Sequence, residues 1–168
     1  MDNVEALYAS VWDAGEEFGI ADFGTYAMNS LRLEKGYAGW GVELTNEITP
    51  VEAGLDRFVK LSHDFVGKDA VLRAMDNGVA IRMVYTEVDV DDADVRGGEP
   101  VFDGDKVIGV TTSGGYGYAV NKSLAFAYVD DGYEHGGTCF EYEILGKRHK
   151  ATVLAGPVYD PKNEKLRA

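Results

Sequence analysis

Apolar positions in the first part of the chain follow the spacing of helices. A first helix is predicted because apolar residues recur on one helical face: Leu7, Val11, Ala14 and Phe18. Asn3 or Asp2 is positioned to cap this helix, and Gly19 is positioned to end it.

Further elements are expected before residue 78. The pattern predicts helices over Thr25–Lys35 and over Lys68–Met75, the latter entered from Gly67, and a strand over Leu55–Leu61. Between them, the glycine-bearing stretch Gly39–Leu44 is incompatible with a stable helix and predicts an irregular loop. Residues 1–78 are therefore expected to be mixed and partly helical.

From residue 79 the pattern changes to short strands separated by turn residues. Strands are expected over Ile81–Val88 and Ser123–Val129, and hairpins are expected at Asp103-Gly104 and around Gly146. Such regular spacing is typical of a small antiparallel barrel or sandwich. The fold class is therefore α+β, a helical or mixed part over residues 1–78 followed by a small antiparallel β-barrel over residues 79–168.

Composition and charge exclude several function classes. The chain has 168 residues, of which 45% are hydrophobic, so a packed core is expected. Its 16 basic and 29 acidic residues give a net charge of −13, which argues against binding to nucleic acid or to an anionic membrane. No apolar run is long enough for a membrane span, and no signal peptide is visible at the N-terminus. A cytoplasmic protein is the expectation.

Few residues suggest chemistry by themselves. The glycine-rich stretch Thr111–Tyr118 lacks the spacing of a nucleotide loop and predicts a strand-ending loop with positive φ at its glycines. The single cysteine, Cys139, is expected to be a small buried side chain. The acidic run Asp89–Asp94 lacks the pattern of a calcium loop, and the three histidines are far apart, so no metal site is expected.

An aromatic residue, a carboxylate and a guanidinium occur around the irregular loop. Trp40, Glu52 and Arg57 are a combination that can recognise a flat heteroaromatic ligand. Trp40 is equally compatible with a place in the core. From composition and spacing alone the function stays open.

Ordered motifs nevertheless run through both parts of the chain. They are Leu31-Arg32-Leu33-Glu34-Lys35-Gly36-Tyr37, Trp40-Gly41, Thr49-Pro50-Val51-Glu52-Ala53-Gly54-Leu55, Asp64-Phe65-Val66-Gly67-Lys68-Asp69-Ala70, Gly109-Val110-Thr111-Thr112-Ser113-Gly114-Gly115-Tyr116-Gly117 and Lys122-Ser123-Leu124-Ala125-Phe126-Ala127-Tyr128-Val129. Together they resemble the folate-dependent aminomethyltransferases, the glycine-cleavage T-protein family. Within this resemblance, the sequences of the motifs are most similar to the C-terminal arm of dimethylglycine and sarcosine dehydrogenases.

The resemblance implies a domain assignment. Residues 1–78 would be the tail of the family's middle folate-binding subdomain, and residues 79–168 its C-terminal barrel. In the family the catalytic aspartate lies in the N-terminal half, so the resemblance places no catalytic residue on this chain. A ligand-contacting arginine of the family falls at Met28 here, so that contact is absent.

The resemblance also implies candidate cofactor-binding residues. Arg57 stands where the dehydrogenase branch has a ligand-contacting aromatic, and it would supply a cationic contact to a folate carboxylate. Trp40 and Tyr116 are candidates for the cavity wall. Tetrahydrofolate is expected to bind only with the missing N-terminal part, and no FAD is expected on this chain.

The implied function is the C-terminal component of a tetrahydrofolate-dependent one-carbon transfer enzyme, inactive alone. The expected partner is an N-terminal transferase or flavin half supplied by another chain, or a second copy through self-association, because a cut domain would expose apolar surface. Two alternatives stay open. The chain is otherwise a non-catalytic binding or scaffold module, or part of a folate-dependent demethylase.

Overall fold

Three helices precede a closed β-barrel. The structure is a computed structural model and describes residues 3–168. The helices are α1 Val4–Gly15, α2 Thr25–Glu34 and α3 Lys68–Asn77. A 3₁₀ turn over Glu16–Phe18 extends α1, and Gly19 follows at φ 70°, which confirms the predicted stop. None of these helices is long and apolar enough to cross a membrane.

The predicted N-terminal cap is not formed by Asn3. Asn3 directly precedes α1, but its side chain donates and accepts no capping hydrogen bond. Asp2, the other candidate, lies outside the described residues. The helix start is therefore fixed by its backbone bonds, the first of which joins the Leu7 N–H to the Asn3 carbonyl at 2.9 Å.

The predicted strand over Leu55–Leu61 is wrong. The chain there forms a 3₁₀ turn over Asp56–Phe58, with the Phe58 N–H bonded to the Leu55 carbonyl at 2.9 Å. Its apolar residues suggested a strand, but a strand needs a neighbouring edge. The barrel is closed and offers none, so the backbone groups are satisfied within turns.

Six antiparallel strands form the barrel: β1 Ile81–Val88, β2 Pro100–Asp103, β3 Lys106–Gly117, β4 Lys122–Asp130, β5 Cys139–Ile144 and β6 Lys147–Val153. Their spatial order is β1-β4-β3-β2-β5-β6, with β6 pairing back to β1. This confirms the predicted fold class and selects the barrel over the sandwich.

The barrel interior is the main core of the described chain. Inward positions alternate along β1 and β5, and the Tyr142 hydroxyl is satisfied inside the barrel by the Thr86 hydroxyl at 2.9 Å. Strand β4 is buried on both faces from Ser123 to Val129 because Leu33 of α2 packs on its outer side with Phe126. Helix α2 is thereby fixed against the barrel wall.

The glycine-rich stretch is a strand, not a loop. Strand β3 continues to Gly117, and none of the glycines at 114, 115 and 117 has a positive φ. They serve close packing instead: a Cβ on Gly114 would lie 2.5 Å from the Val95 Cβ, and one on Gly117 would lie 2.9 Å from the Glu34 Cγ. The expectation of a strand-ending loop was wrong because side-chain size, and not backbone conformation, demands glycine there.

Cys139 is exposed, contrary to the expectation of a buried thiol. In β5 the residues Phe140, Tyr142 and Ile144 point inward, so Cys139, at the start of the strand, has the outward parity. Its Sγ lies 3.6 Å from the Thr152 hydroxyl on the neighbouring strand.

Candidate ligand-binding cleft

A cleft of about 780 Å³ lies between α2 and the C-terminal half of β3. It combines aromatic and charged side chains. Its aromatic residues are Tyr26 of α2, Tyr116 at the end of β3 and Tyr118 directly after β3. Its charged residues are Arg32 of α2, and Asp94 and Arg96 of the segment between β1 and β2.

Two polar contacts hold α2 along β3. The Ser30 hydroxyl donates to the Tyr116 carbonyl at 2.7 Å, and the Asn29 amide donates to the Gly114 carbonyl at 3.4 Å. Gly115 leaves ordinary room beside the helix, since a Cβ there would lie 3.4 Å from the Leu33 methyl, whereas a Cβ on Gly117 would lie only 2.9 Å from the Glu34 Cγ of α2. Gly117 is thus the glycine of β3 that lets α2 lie close to the strand.

Glu43 lies behind the cleft wall and is fully buried, with 0% of its surface exposed. One carboxylate oxygen accepts from the Gly39 N–H at 2.7 Å and from Arg32 at 3.1 Å, and the other accepts from the hydroxyls of Thr112 at 2.8 Å and Ser113 at 2.5 Å. A buried carboxylate is tolerated only when paired and hydrogen-bonded, and here both conditions are met. Glu43 therefore joins the 39–44 loop, α2 and β3.

A tyrosine on β4 completes this anchor. The Tyr128 hydroxyl donates to the Glu43 backbone carbonyl at 3.0 Å. Burial, with a further contribution from the Glu43 carboxylate, raises the pKa of the Tyr128 phenol, so the hydroxyl keeps its proton and remains a donor.

Arg32 has little capacity left for a ligand. Its guanidinium donates to the Asn29 side chain at 2.9 Å, the Tyr37 carbonyl at 3.1 Å, Glu43, and the Ser113 hydroxyl at 2.9 Å. These bonds use four of the five N–H groups of an arginine. Its charge is balanced by Glu43, so Arg32 forms the wall and does not supply a free cation.

The segment that carries Asp94 and Arg96 is held rigidly beside the cleft. The Asp94 carboxylate accepts from the Ser123 hydroxyl at 2.7 Å, so this member of the acidic run is half-buried and not simply solvated. The Glu99 carboxylate accepts from the Arg96 N–H at 2.9 Å and the Gly97 N–H at 2.8 Å. Burial alone would raise the pKa of Glu99, but these bonds and one from a threonine hydroxyl lower it overall.

The three residues singled out from the sequence are not brought together at this cleft. Tyr116 lines it, with its ring edge-on to Tyr118 at a centroid distance of 5.1 Å. Trp40 is 77% exposed in the loop beside Glu43, and Arg57 is exposed with its guanidinium 4.7 Å from the centre of the Phe58 ring. Neither is among the residues that line the cleft, and all three roles stay predictions.

Sequence reasoning missed Glu43 and Arg96. Arg96 carried one signal, since it is the only base between Glu87 and Asp105, a segment with eight carboxylates. Glu43 gave no signal, because its hydroxyl partners lie about seventy residues away in the chain.

The side chains around the cleft are better suited to binding a ligand than to catalysis. Tyrosine rings offer stacking surface for a flat ligand, and the guanidinium and carboxylate groups offer contacts to its polar edge. Among residues 3–168, no group of three or more histidine, cysteine, aspartate and glutamate side chains is placed to hold a metal ion.

Family models match both parts of the chain. Residues 1–63 match the GCVT N-terminal domain, and residues 82–160 match the glycine cleavage T-protein C-terminal barrel domain. The chain belongs to the glycine-cleavage T-protein family. In this T-protein relative the cleft forms where the two matched segments meet, since α2 lies in the first and Arg96 and β3 lie in the second.

Named relatives agree with this assignment. The T-protein chain is 46% identical to mitochondrial dimethylglycine dehydrogenase of Mus musculus over 154 residues, 90% of this chain and 18% of the relative. It is 33% identical to a probable aminomethyltransferase of Pyrococcus horikoshii over 165 residues, 93% of this chain and 41% of the relative. The crystal structure of the glycine cleavage system aminomethyltransferase T from Bartonella henselae is 30% identical, with a TM-score of 0.74 over 80% of this chain and 38% of that one. The chain thus spans less than half the length of each.

Proposed function

We propose that this chain forms one wall of the tetrahydrofolate cavity in a one-carbon transfer enzyme of the dimethylglycine dehydrogenase type. The observation that carries the proposal is the α2–β3 cleft, which places tyrosine rings and guanidinium groups at the junction of the two family segments. This set fits tetrahydrofolate, which has flat rings for stacking and an acidic tail for a cation. The 46% identity to the mouse dehydrogenase supports that branch over the other transferases.

The contribution of this chain would be binding and orientation. Tetrahydrofolate, when bound, supplies the nitrogen that accepts the one-carbon unit. Tyr116 and Tyr118 would hold its rings, and the Glu43 network would keep the β3 wall in place against α2. The resemblance places the family's catalytic aspartate in the N-terminal half and none on this chain, so we propose that the chain is inactive alone.

A partner is proposed for the helical side. Helix α1 has no buried residue, and large apolar side chains on it and after it are more than half exposed: Val4, Leu7, Tyr8, Val11, Phe18 and Phe23. Val4, Leu7, Tyr8 and Val11 recur at helical spacing on one face of α1, and an exposed apolar face of this kind marks a contact site. It would be covered by an N-terminal transferase or flavin half, or by a second copy. Sedimentation of the chain alone at micromolar concentration should show self-association. A chain that stays monomeric and does not bind the transferase segment of the mouse relative would contradict the proposal.

Calorimetric titration tests the folate assignment. The 168-residue chain would be titrated with 5-formyltetrahydrofolate, alone and mixed with the transferase segment that precedes the matched part of the mouse relative. Binding tight enough to register in calorimetry is expected only in the mixture, and Tyr116→Leu should weaken it about 3- to 10-fold through lost aromatic contact. Tyr37→Leu, at an exposed tyrosine outside the cleft, is the matched control.

The opposite result has a definite meaning. If neither the chain nor the mixture binds the folate, the scaffold alternative replaces the proposal, and Met28 in place of the family's arginine would then explain the loss. That this chain binds no flavin, and that it is cytoplasmic, both stay predictions. The mouse relative is named as mitochondrial.

A further inference from the structure

We propose that Arg96 is the cation that binds a glutamyl carboxylate of the folate tail at the α2–β3 cleft. The sequence pointed to Arg57 for this contact. The inference rests on the proposed function, and it assigns the anionic end of the ligand to a particular residue on a particular face.

Arg96 is the arginine of the cleft whose guanidinium is unpaired within the described part of the chain. Within residues 3–168 its guanidinium forms no ion pair and no hydrogen bond, although eight carboxylates lie in the segment from Glu87 to Asp105. Arg32, the other arginine of the cleft, is paired with Glu43 at 3.1 Å. Because Arg96 pairs with none of these carboxylates, the planar set of N–H donors on its guanidinium is available to a ligand.

The backbone that carries Arg96 is preorganised. Val95, directly before it, is fully buried and packs onto Gly114 of β3. Gly97, directly after it, has φ 109°, and a Cβ there would lie 2.3 Å from the Thr112 carbonyl. The Glu99 carboxylate binds the N–H groups of Arg96 and Gly97. A ligand contact would therefore cost only the ordering of the Arg96 side chain.

Asp94 narrows the class of ligand. It lies two residues before Arg96, lines the same cleft, and has one oxygen engaged by the Ser123 hydroxyl. A carboxylate beside a guanidinium suits a ligand that carries an N–H donor next to a carboxylate, as a glutamyl amide does. It disfavours a phosphate, whose higher charge would be repelled by Asp94 and by the net charge of −13.

Arg57 lacks these properties. Its guanidinium lies 4.7 Å from the centre of the Phe58 ring, on an exposed 3₁₀ turn, and it is not among the residues that line the cleft. A ligand held between α2 and β3 would meet Arg96.

The test uses a fragment of the tail, so that it does not depend on a partner segment. The ¹⁵N-labelled 168-residue chain would be titrated with p-aminobenzoylglutamate and, for comparison, with p-aminobenzamide, which has no carboxylate. We expect amide shifts at residues 94–98 and 112–118. Arg96→Gln should weaken binding of p-aminobenzoylglutamate about tenfold, equivalent to about 1.4 kcal/mol, and leave p-aminobenzamide unchanged.

Two further variants make the result specific. Arg73→Gln removes the same charge from an exposed position on α3 and should leave both affinities unchanged. Arg57→Gln tests the competing assignment. The inference is overturned if wild-type chain does not bind p-aminobenzoylglutamate, if Arg96→Gln behaves like Arg73→Gln, or if Arg57→Gln causes the loss. The amide spectrum of each variant verifies that it is folded.

The titration with 5-formyltetrahydrofolate and the transferase segment separates this inference from the function. If that mixture binds folate equally well with Arg96→Gln, the function stands and the inference fails. If the fragment binds through Arg96 but the mixture binds no folate, the function fails, and the assignment of Arg96 to a folate tail fails with it.

Discussion

Removal of the Glu43 carboxylate should weaken the attachment of the 39–44 loop and α2 to the barrel. The carboxylate accepts four hydrogen bonds, from the Gly39 N–H, Arg32 and the hydroxyls of Thr112 and Ser113. Glu43→Ala leaves all four donors without their acceptor in a site that is closed to water at Glu43 itself. The perturbation therefore acts on the junction of the two matched segments and not on the barrel interior.

The magnitude follows from the burial of the pair. Breaking a buried ion pair by removing one partner costs about 3–5 kcal/mol. Water can partly solvate the Arg32 side chain, which is 19% exposed, so the lower end, about 3–4 kcal/mol, applies. Glu43→Gln keeps the shape, and its amide can donate to the Thr112 and Ser113 hydroxyls, which can rotate to accept. That variant should lose only about 1–2 kcal/mol.

Urea unfolding followed by tryptophan fluorescence measures this effect. The chain has two tryptophans, so a Trp12→Phe background leaves Trp40, in the affected loop, as the reporter. With a slope of about 2 kcal/mol per M, Glu43→Ala should lower the midpoint by about 1.5–2 M. Glu47→Gln, at an exposed glutamate of the following turn, is the control and should shift stability by less than about 0.5 kcal/mol. If Glu43→Ala and Glu47→Gln unfold at the same midpoint, the network does not hold the junction together.

Two other predictions test the wall of the cleft. Gly114→Ala should destabilise the chain by about 1–3 kcal/mol in thermal unfolding, because the new Cβ would lie 2.5 Å from the Val95 Cβ. Gly115→Ala should be nearly neutral, because the atom nearest to its new Cβ is 3.4 Å away. Equal losses of stability in the two variants would contradict this prediction. Burial would raise the pKa of Glu99, but hydrogen bonds from the Thr111 hydroxyl and backbone N–H groups lower it overall. Because the folded-state pKa is depressed, Glu99 stabilises the fold above its unfolded pKa and loses that contribution as pH falls through the folded value. The difference in stability between wild type and Glu99→Gln should thus be largest near neutral pH and vanish in acid, and a constant difference across urea melts at several pH values would refute it.

The helices and strands could be predicted because their signals are local. The turn at Gly146 is an example, since Leu145 and Gly146 both have positive φ, at 49° and 78°, and the two strands of the hairpin flank them directly. Local signals failed where the deciding contact is distant. The strand expected at Leu55–Leu61 had the right composition but no edge to pair with, and closure of the barrel is a property of the whole sheet.

The cleft shows the same limit more sharply. The family resemblance identified the family, and it directed attention to Arg57 because the motif position of Arg57 matches a ligand-contacting residue. Whether an arginine is free depends on which carboxylates reach it in space. Arg96 sits in the most acidic part of the chain and pairs with none of its neighbours within the described residues, whereas Arg32, in a mixed segment, is neutralised by Glu43, eleven residues away.

A single feature of β3 connects these observations. Its glycines let α2 and Val95 pack against opposite parts of the strand, and its threonine and serine hydroxyls at 112 and 113 satisfy Glu43. The same short stretch therefore lines the cleft, fixes the segment that carries Arg96, and joins the barrel to the helical part. This strand cannot accept side chains at 114 or 117, because a Cβ there would lie too close to Val95 or Glu34. Close packing therefore requires glycine within a strand here, although composition alone predicts a loop.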